Sequence, residues 1–470
     1  MLLPKKRLNS LLPLFLIFPL AQTTPMPTPA PVQQEVVQPG EVRALPGKLD
    51  KVLVFNSNSP EVVQKEGILL STFPAVGKSV PTAHLNFPLT GKFDIFTHHI
   101  AKATSPEDLR TLYLGVILHN PNPKPVTVEV LQAASYLSQP DAPFIELPSS
   151  VENPLGTVYS GPGSRVMDDV LRGKRQADFP SKLIIPPGTS QLLMNHPIPV
   201  KTLTPPLNGR SALIRLRSDR SVYIASLGMY ARQNPDGSER APTLQEWQAL
   251  LDNGDLAAPR DRAPTPPQQT TGSMIYGRVA GVALGSQWQA QLLDHPKSKV
   301  LTIPQPGQAF SYAISTIPRG SLGTNQIQSA PILARYPDTA YLAHGNYGIQ
   351  YSLTLPLANN TSKPQTVTLA IQTPLKQDKL KEGLVFLQPP APQTFFRGTV
   401  QVSYLDDQGK LSKRYVHLVQ KRGQQGEPLV KLNIPAGDRT LVQVDFLYPP
   451  DASPPQVLTV KTIQPGSLSQ

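Results

Sequence analysis

The sequence predicts a mostly β protein, and three observations carry that prediction. Proline supplies 54 of the 470 residues, more than twice its usual share of about 5%. Because proline is excluded from helix interiors and central strands, the chain must be cut into short elements separated by rigid turns. Short runs rich in β-branched and aromatic residues recur, each bounded by turn residues. Finally, a set of landmarks returns in the same order in the two halves, as expected of an internal duplication. Together these predict tandem immunoglobulin-like or fibronectin-like β-sandwich modules with one short helix near the linker between them.

In chain order, residues 1–21 read as a secretory signal. Lys5, Lys6 and Arg7 precede the apolar stretch Leu11–Ala21, which Pro13 and Pro19 interrupt. That stretch is well short of the roughly 20 apolar residues a spanning helix needs. Residues 22–38, rich in Pro, Thr and Gln, read as an extended tether. A first β-sandwich domain is expected over 39–254. Its strands include Tyr113–Leu118, Val126–Leu131, Leu183–Ile185, Ala212–Arg217 and Val222–Leu227. Its last element is the short helix. Thr243 and Glu246 form a capping box, Leu244, Trp247, Leu250 and Leu251 share a face, and Gly254 ends it. Trp247 is read as a packing anchor. A proline-rich linker (255–272) leads to a second β-sandwich domain (273–470), with strands at Tyr351–Leu357 and Thr366–Ile371.

The repeated landmarks are specific. N-x-x-x-K-P-x-T-V occurs at Asn120–Val128 and Asn359–Val367, Gly-Thr-Val at Gly156–Val158 and Gly398–Val400, and K-L-x-I-P-x-G at Lys182–Gly188 and Lys431–Gly437. In the last of these, proline ends strand pairing and glycine supplies the turn.

Composition narrows the function. The chain has no cysteine, which excludes disulfides, thiolate metal sites, a cysteine nucleophile and a lipid-modified cysteine anchor. The formal net charge of +12 suits an anionic envelope polymer as partner. Basic residues gather at Arg172, Lys174 and Arg175, at Arg210, Arg215, Arg217 and Arg220, and at Lys410, Lys413, Arg414, Lys421 and Arg422. No G-x-S-x-G or H-E-x-x-H pattern occurs. Gly161–Arg165 (GPGSR) reads as an ordinary turn. His98 and His99 are adjacent and would point to opposite faces of a strand. Asp168-Asp169 and Asp406-Asp407 lack calcium-loop spacing, and Asn234–Gly237 (NPDG) reads as a turn. No catalytic residue, metal or cofactor is expected, nor a transmembrane span in the mature chain, and nucleic acid is disfavoured by the exported compartment.

Several dense phrases stand out: Phe55–Pro60 (FNSNSP), Phe93–Phe96 (FDIF), Arg278–Gly285 (RVAGVALG), Arg335–Tyr341 (RYPDTAY), His344–Gly348 (HGNYG), Tyr415–Val419 (YVHLV) and Val444–Pro450 (VDFLYPP). Together they resemble an uncharacterised cyanobacterial family of exported proteins, defined only as a domain of unknown function. The resemblance implies a cyanobacterial source and an envelope or extracellular location, and it brings no catalytic or ligand residues with it.

The expected function is therefore that of an exported, periplasmic or extracellular, non-enzymatic module binding an envelope polysaccharide or an envelope protein. A carbohydrate-active enzyme with scattered acidic residues is the alternative. The candidate binding surface is Arg335, Tyr336, Tyr341, Asn346 and Tyr347, from a stretch (335–351) that holds four tyrosines beside polar groups. Tyrosine faces stack on sugar rings, and amides bond their hydroxyls.

Overall fold

The computed structural model describes residues 32–269, 271–406 and 408–464. The expected signal, most of the tether and Asp407 lie outside the described residues. The described chain is mostly β, arranged in several sheets with two α-helices. Among the described residues no helix is long and apolar enough to cross a membrane.

Period-two patterning builds the strands. Val430–Ile434 alternates buried and exposed residues along its whole length, as does Lys182–Ile185. Leu207–Tyr230 was expected as two strands but is one of 24 residues. Its register shifts between Ser218 and Val222. Before the shift it pairs with Leu89–Lys102 and Val126–Leu137; after it, apart from a last pair between Val222 and Leu89, it pairs with Leu112–His119 and Gly67–Ser71. A bulge bends and twists a strand, and here it carries one strand from one sheet to the next.

The two landmark corners are built alike. Asn120 Nδ2 donates to the carbonyls of Lys124, Ile185 and Pro186 at 2.8, 2.9 and 3.1 Å. Asn359 Nδ2 donates to those of Lys363, Ile434 and Pro435 at 2.9, 2.9 and 3.0 Å. In both, the glycine of the Ile-Pro-x-Gly turn donates its N–H to the asparagine carbonyl at 2.9 Å. The flanking pairs also correspond: Val126 faces Ile185 as Gln365 faces Ile434. The Gly-Thr-Val landmarks do not correspond. Gly156 sits in a turn at φ 73°, whereas Gly398 lies inside strand Thr394–Leu405.

Strands from either side of the 255–272 segment enter the same sheets. Leu53–Ser57 lies between Leu89–Lys102, to which it is parallel, and Ala280–Leu284, to which it is antiparallel. Glu41–Arg43 pairs with Ala309–Ile314, Lys48–Leu49 with Gln287–Gln291, and Ser150–Glu152 with Leu411–Lys421. The end of the expected tether is itself a strand. Gln34–Pro39 pairs with Gly383–Gln388, because β-branched Val36 and Val37 outweigh the local polarity and proline comes only at the strand's last position. The largest core accordingly mixes Phe96, Val166 and Leu213 with Tyr351, Val444 and Phe446. A second core packs Phe55, Phe93 and Ile214 against Ala280 and Tyr336. Each such large side chain taken out of water contributes about 1.5–3 kcal/mol.

The expected helix is present as Leu244–Asn253, with both halves of the Thr243–Glu246 capping box made and Trp247 fully buried. The other helix, Pro162–Leu171, replaces the turn read at Gly161–Arg165. Gly161 (φ 88°) turns the chain in, and Pro162 opens the helix with its φ already fixed. Asp168 and Asp169 are buried with partners: Asp168 with Arg172 at 2.8 Å, Asp169 with Lys174 at 2.8 Å and the Tyr136 hydroxyl at 2.6 Å.

Candidate functional site

A cleft of about 610 Å³ opens where Asn56–Glu61, the Ile275–Val279 segment, the Ala343–Tyr347 turn and the Pro450–Pro454 segment meet. Asn56 and Asn58 stand two residues apart, so an extended backbone puts both on one face. Both are at least 95% buried, with 4% and 5% exposure. Among the described residues, the Oδ1 atom of neither has a hydrogen-bond partner. Buried polar atoms are nearly always paired in folded proteins; both of these oxygens are sealed from solvent, while other parts of the two side chains line the cleft.

Beside them lies an ion-pair network. Arg278 Nη2 donates to Glu61 Oε2, and Arg278 Nη1 lies 3.6 Å from Asp261 Oδ1. Asp261 Oδ2 also accepts from Ser59 Oγ at 2.8 Å and from the Glu61 N–H at 3.2 Å. Burial pushes the Glu61 carboxyl above its ordinary range, the Arg278 cation opposes this, and the Asp261 charge adds to it. His98 approaches Glu61 at 3.8 Å through Nε2 and bonds Ser211 through Nδ1 at 2.7 Å. Burial lowers its pKa, and the nearby Asp451 charge opposes this. His99 points the other way, to Ser57 and the Pro60 carbonyl, as strand alternation requires.

The opposite wall is aromatic. Tyr276 and His344 meet edge to face with ring centroids 4.9 Å apart. Burial drops His344 to about 4. The Tyr276 hydroxyl donates to the Pro318 carbonyl at 2.7 Å and accepts from Lys376 Nζ at 2.9 Å. Tyr347, half-buried, lies against Phe96 and donates to the Ala452 carbonyl at 3.2 Å. Arg262 and Arg422 line the same cleft, both exposed.

The five residues expected to form one binding surface do not share one. Tyr336 is fully buried in the second core, donating to the Ala83 carbonyl at 2.7 Å and accepting from the Ser71 N–H at 3.0 Å. An aromatic ring in an apolar neighbourhood with its hydroxyl satisfied is core. Arg335 closes its own turn, donating to the carbonyls of Tyr336 and Pro337 at 2.9 and 3.1 Å and to that of Thr339, with its guanidinium 3.8 Å above the Tyr341 ring centroid. Asn346 and Tyr347 do reach the cleft. Asn346 is a turn residue at φ 50°, its amide already engaged by the Ala330 N–H, the Gln328 carbonyl and the Tyr351 hydroxyl. Asn56, Asn58, Glu61, Asp261, Tyr276 and Arg278 were not foreseen. The signal available was the pair of asparagines alternating with Phe55 and Ser57 in an otherwise apolar strand.

A family model described as "Protein of unknown function (DUF3370)" matches residues 40–462. No curated protein matches the chain. Among solved structures, Lac15 from a marine microbial metagenome is 10% identical, covers 90% of this chain and has a TM-score of 0.11, and this chain spans 66% of its length. The coconut allergen cocosin is 9% identical, with 81% of this chain and 84% of that one covered and a TM-score of 0.10. A recombinant pumpkin pro-11S globulin is 9% identical, with 86% of each chain covered and a TM-score of 0.10. Likenesses at this level carry no argument about this chain.

Proposed function

The chain belongs to the DUF3370 family, and from that premise we propose that it is an exported, non-enzymatic envelope protein that binds polysaccharide in the cleft described above. The cleft is held between two related sandwich modules of immunoglobulin-like or fibronectin-like character. The matched corners at Asn120 and Asn359 support the two-module reading. The observation that carries the binding reading is the cleft itself, where the side chains of Asn56 and Asn58 line the same space as the aromatic pair Tyr276 and His344. Sugars suit that combination, with hydroxyls for polar side chains and an apolar ring face for the aromatics. The cleft volume falls in the range of small-ligand sites, about 300–1,000 Å³.

A second reading, a carbohydrate-active enzyme, is favoured by one observation: Glu61, its carboxyl raised by burial, stands beside Asp261. Glycosidases need two carboxyls in different protonation states. Against it, a single guanidinium occupies both acids, which leaves neither free to give or take a proton.

One experiment separates these. The purified chain is run through gels containing envelope polysaccharide, and the same polysaccharide is assayed for new reducing ends. Binding predicts retarded migration that Tyr276→Ala weakens, with no new ends. New ends that vanish in Glu61→Gln would establish the enzyme instead. Migration unaffected by any polysaccharide would refute the binding reading and leave an envelope protein as the partner to seek. Fractionation tests export: finding the chain in the cytoplasm with Lys5–Arg7 retained would refute that part.

A further inference from the structure

We propose that strand Gln34–Pro39 is the contact through which two copies of this chain pair, edge to edge and antiparallel, in a weak and reversible dimer; the inference is independent of the polysaccharide reading. The strand forms a two-stranded ribbon with Gly383–Gln388. Among the described residues, no backbone group of Gln34–Pro39 bonds the backbone of any other segment. Residues 34–37 are all exposed, Val36 at 39% and Val37 at 41%. An open strand edge is a template for another strand, and proteins commonly blunt it with lysine or an internal proline. Other edge strands of the molecule are blunted in this way: Lys182 stands in Lys182–Ile185 and Lys431 in Val430–Ile434. Gln34–Pro39 has no basic residue, and its proline comes last.

Geometry selects the occupant and the register. A Cβ added at Gly383 would collide with the Gln38 carbonyl oxygen, so that oxygen points at the neighbouring strand. Alternation along the strand then turns the backbones of Gln34 and Val36 inward too, and those of Glu35 and Val37 outward. Pro39 falls in the outward set, where its missing N–H costs no ladder bond. In an antiparallel pair of copies, Glu35 of each exchanges backbone bonds with Val37 of the other, about a two-fold axis. That register sets Val36 against Val36 of the second copy and Gln34 against Gln38. No acid faces an acid, and an apolar pair lies at the centre, so the sequence QEVVQP is complementary to itself. A register centred on Glu35 would instead bring two carboxylates together. So short an edge covers far less than the roughly 800 Å² per partner of a standard interface, which makes the dimer weak.

The chain has no cysteine, so Val36→Cys tests the register directly. Opposed residues at a non-hydrogen-bonded antiparallel site have Cα atoms about 4.5 Å apart, inside the range of about 4.4–6.8 Å that a disulfide spans. The purified full chain carrying Val36→Cys should oxidise to a covalent dimer at least about tenfold faster than one carrying Val76→Cys, because pairing raises the local thiol concentration. Val76 is 89% exposed, so its variant reports random collision. Sedimentation of the unsubstituted chain should show monomer giving way to dimer as concentration rises through the micromolar range. Val37→Pro deletes an outward N–H, leaves the pairing with Gly383–Gln388 intact, and should hold the chain monomeric; Val37→Thr keeps that N–H and should not. Equal oxidation rates for the two cysteine variants, a monomeric mass at every concentration, or a dimer indifferent to Val37→Pro overturns the assignment.

Discussion

At the scale of single residues, the best-defined structural device is the corner asparagine. Asn120 is fully buried, and its one amide group holds three carbonyls that strand pairing leaves unmet. Removing the donor strands those carbonyls, and unsatisfied buried polar groups cost about 1–3 kcal/mol each. Asn120→Ala should therefore lower stability by roughly 2–4 kcal/mol, and Asn359→Ala by a similar amount. Asn120→Asp should cost more than Ala at neutral pH, since a carboxylate oxygen would face three carbonyl oxygens. Urea denaturation of the three variants checks this; an Asp variant as stable as wild type would contradict the role. These corners were legible in the sequence because each is made within a motif, N-x-x-x-K-P, that meets a second one, I-P-x-G. The cleft was not. Glu61 and Arg278 are separated by 217 positions, and nothing near either residue announces the other. The tyrosine-rich stretch misled for a related reason. Composition cannot tell a ring that stacks on a ligand from one, like Tyr336, whose hydroxyl already has partners inside the core.

At the scale of elements, the two helices show what local signals do and do not reveal. Leu244–Asn253 was readable because its start, apolar face and stop are all encoded within it. Pro162–Leu171 was not: its Gly-Pro-Gly start imitates a turn, and its two aspartates are buried against Arg172 and Lys174 just past its end and against the distant Tyr136. The seat of the first helix also lies outside its own sequence. A Cβ added at Gly115, in strand Leu112–His119, would come within 2.7 Å of the Trp247 ring. Gly115 is thus the socket that lets the indole reach the sheet, where its Nε1 donates to Asn195 at 3.3 Å. Gly115→Ala should push the ring out and cost about 1–3 kcal/mol, as overpacking of cores does. The Trp247 fluorescence should shift to the red even in the folded state. An unchanged emission maximum and melting temperature would show that the helix has slack that this packing denies.

At the scale of the whole molecule, buried histidines set the response to acid. Burial lowers His99 to about 3 and His84, His196, His344 and His417 to about 4, against an unfolded value of about 6.5. Below about pH 6.5 the unfolded chain takes up protons that the folded chain refuses, so stability is full above that pH and falls as pH drops towards 4. Asp94, raised to about 6 by burial, works in the opposite sense: its contribution is lost as pH rises from about 3.9 through 6. Between pH 7 and 5 five lowered histidines act against one carboxyl raised to about 6, and the histidines prevail. The urea midpoint should therefore fall between pH 7 and pH 5; a midpoint that held or rose would reverse the assignment. The same scale decides whether the two halves are independent. Strand Leu53–Ser57 is hydrogen-bonded on one side to Leu89–Lys102 and on the other to Ala280–Leu284, and Tyr336 is buried in a core otherwise built from residues before 260, apart from Ala280. Cutting at the 255–272 segment would open a sheet edge and expose that core to water. The two tryptophans fall one in each half. Trp247 reports the first, and Trp288, stacked on Tyr351 and bonded to the Pro46 carbonyl at 2.9 Å, reports the second. Urea unfolding of Trp247→Phe and Trp288→Phe, each followed by the remaining indole, should give coincident transitions once each variant's own stability loss is corrected from circular dichroism of the same sample. Separate midpoints within one variant, fluorescence against circular dichroism, would mean that the shared strands do not couple the halves and that the cleft between them can open without unfolding either.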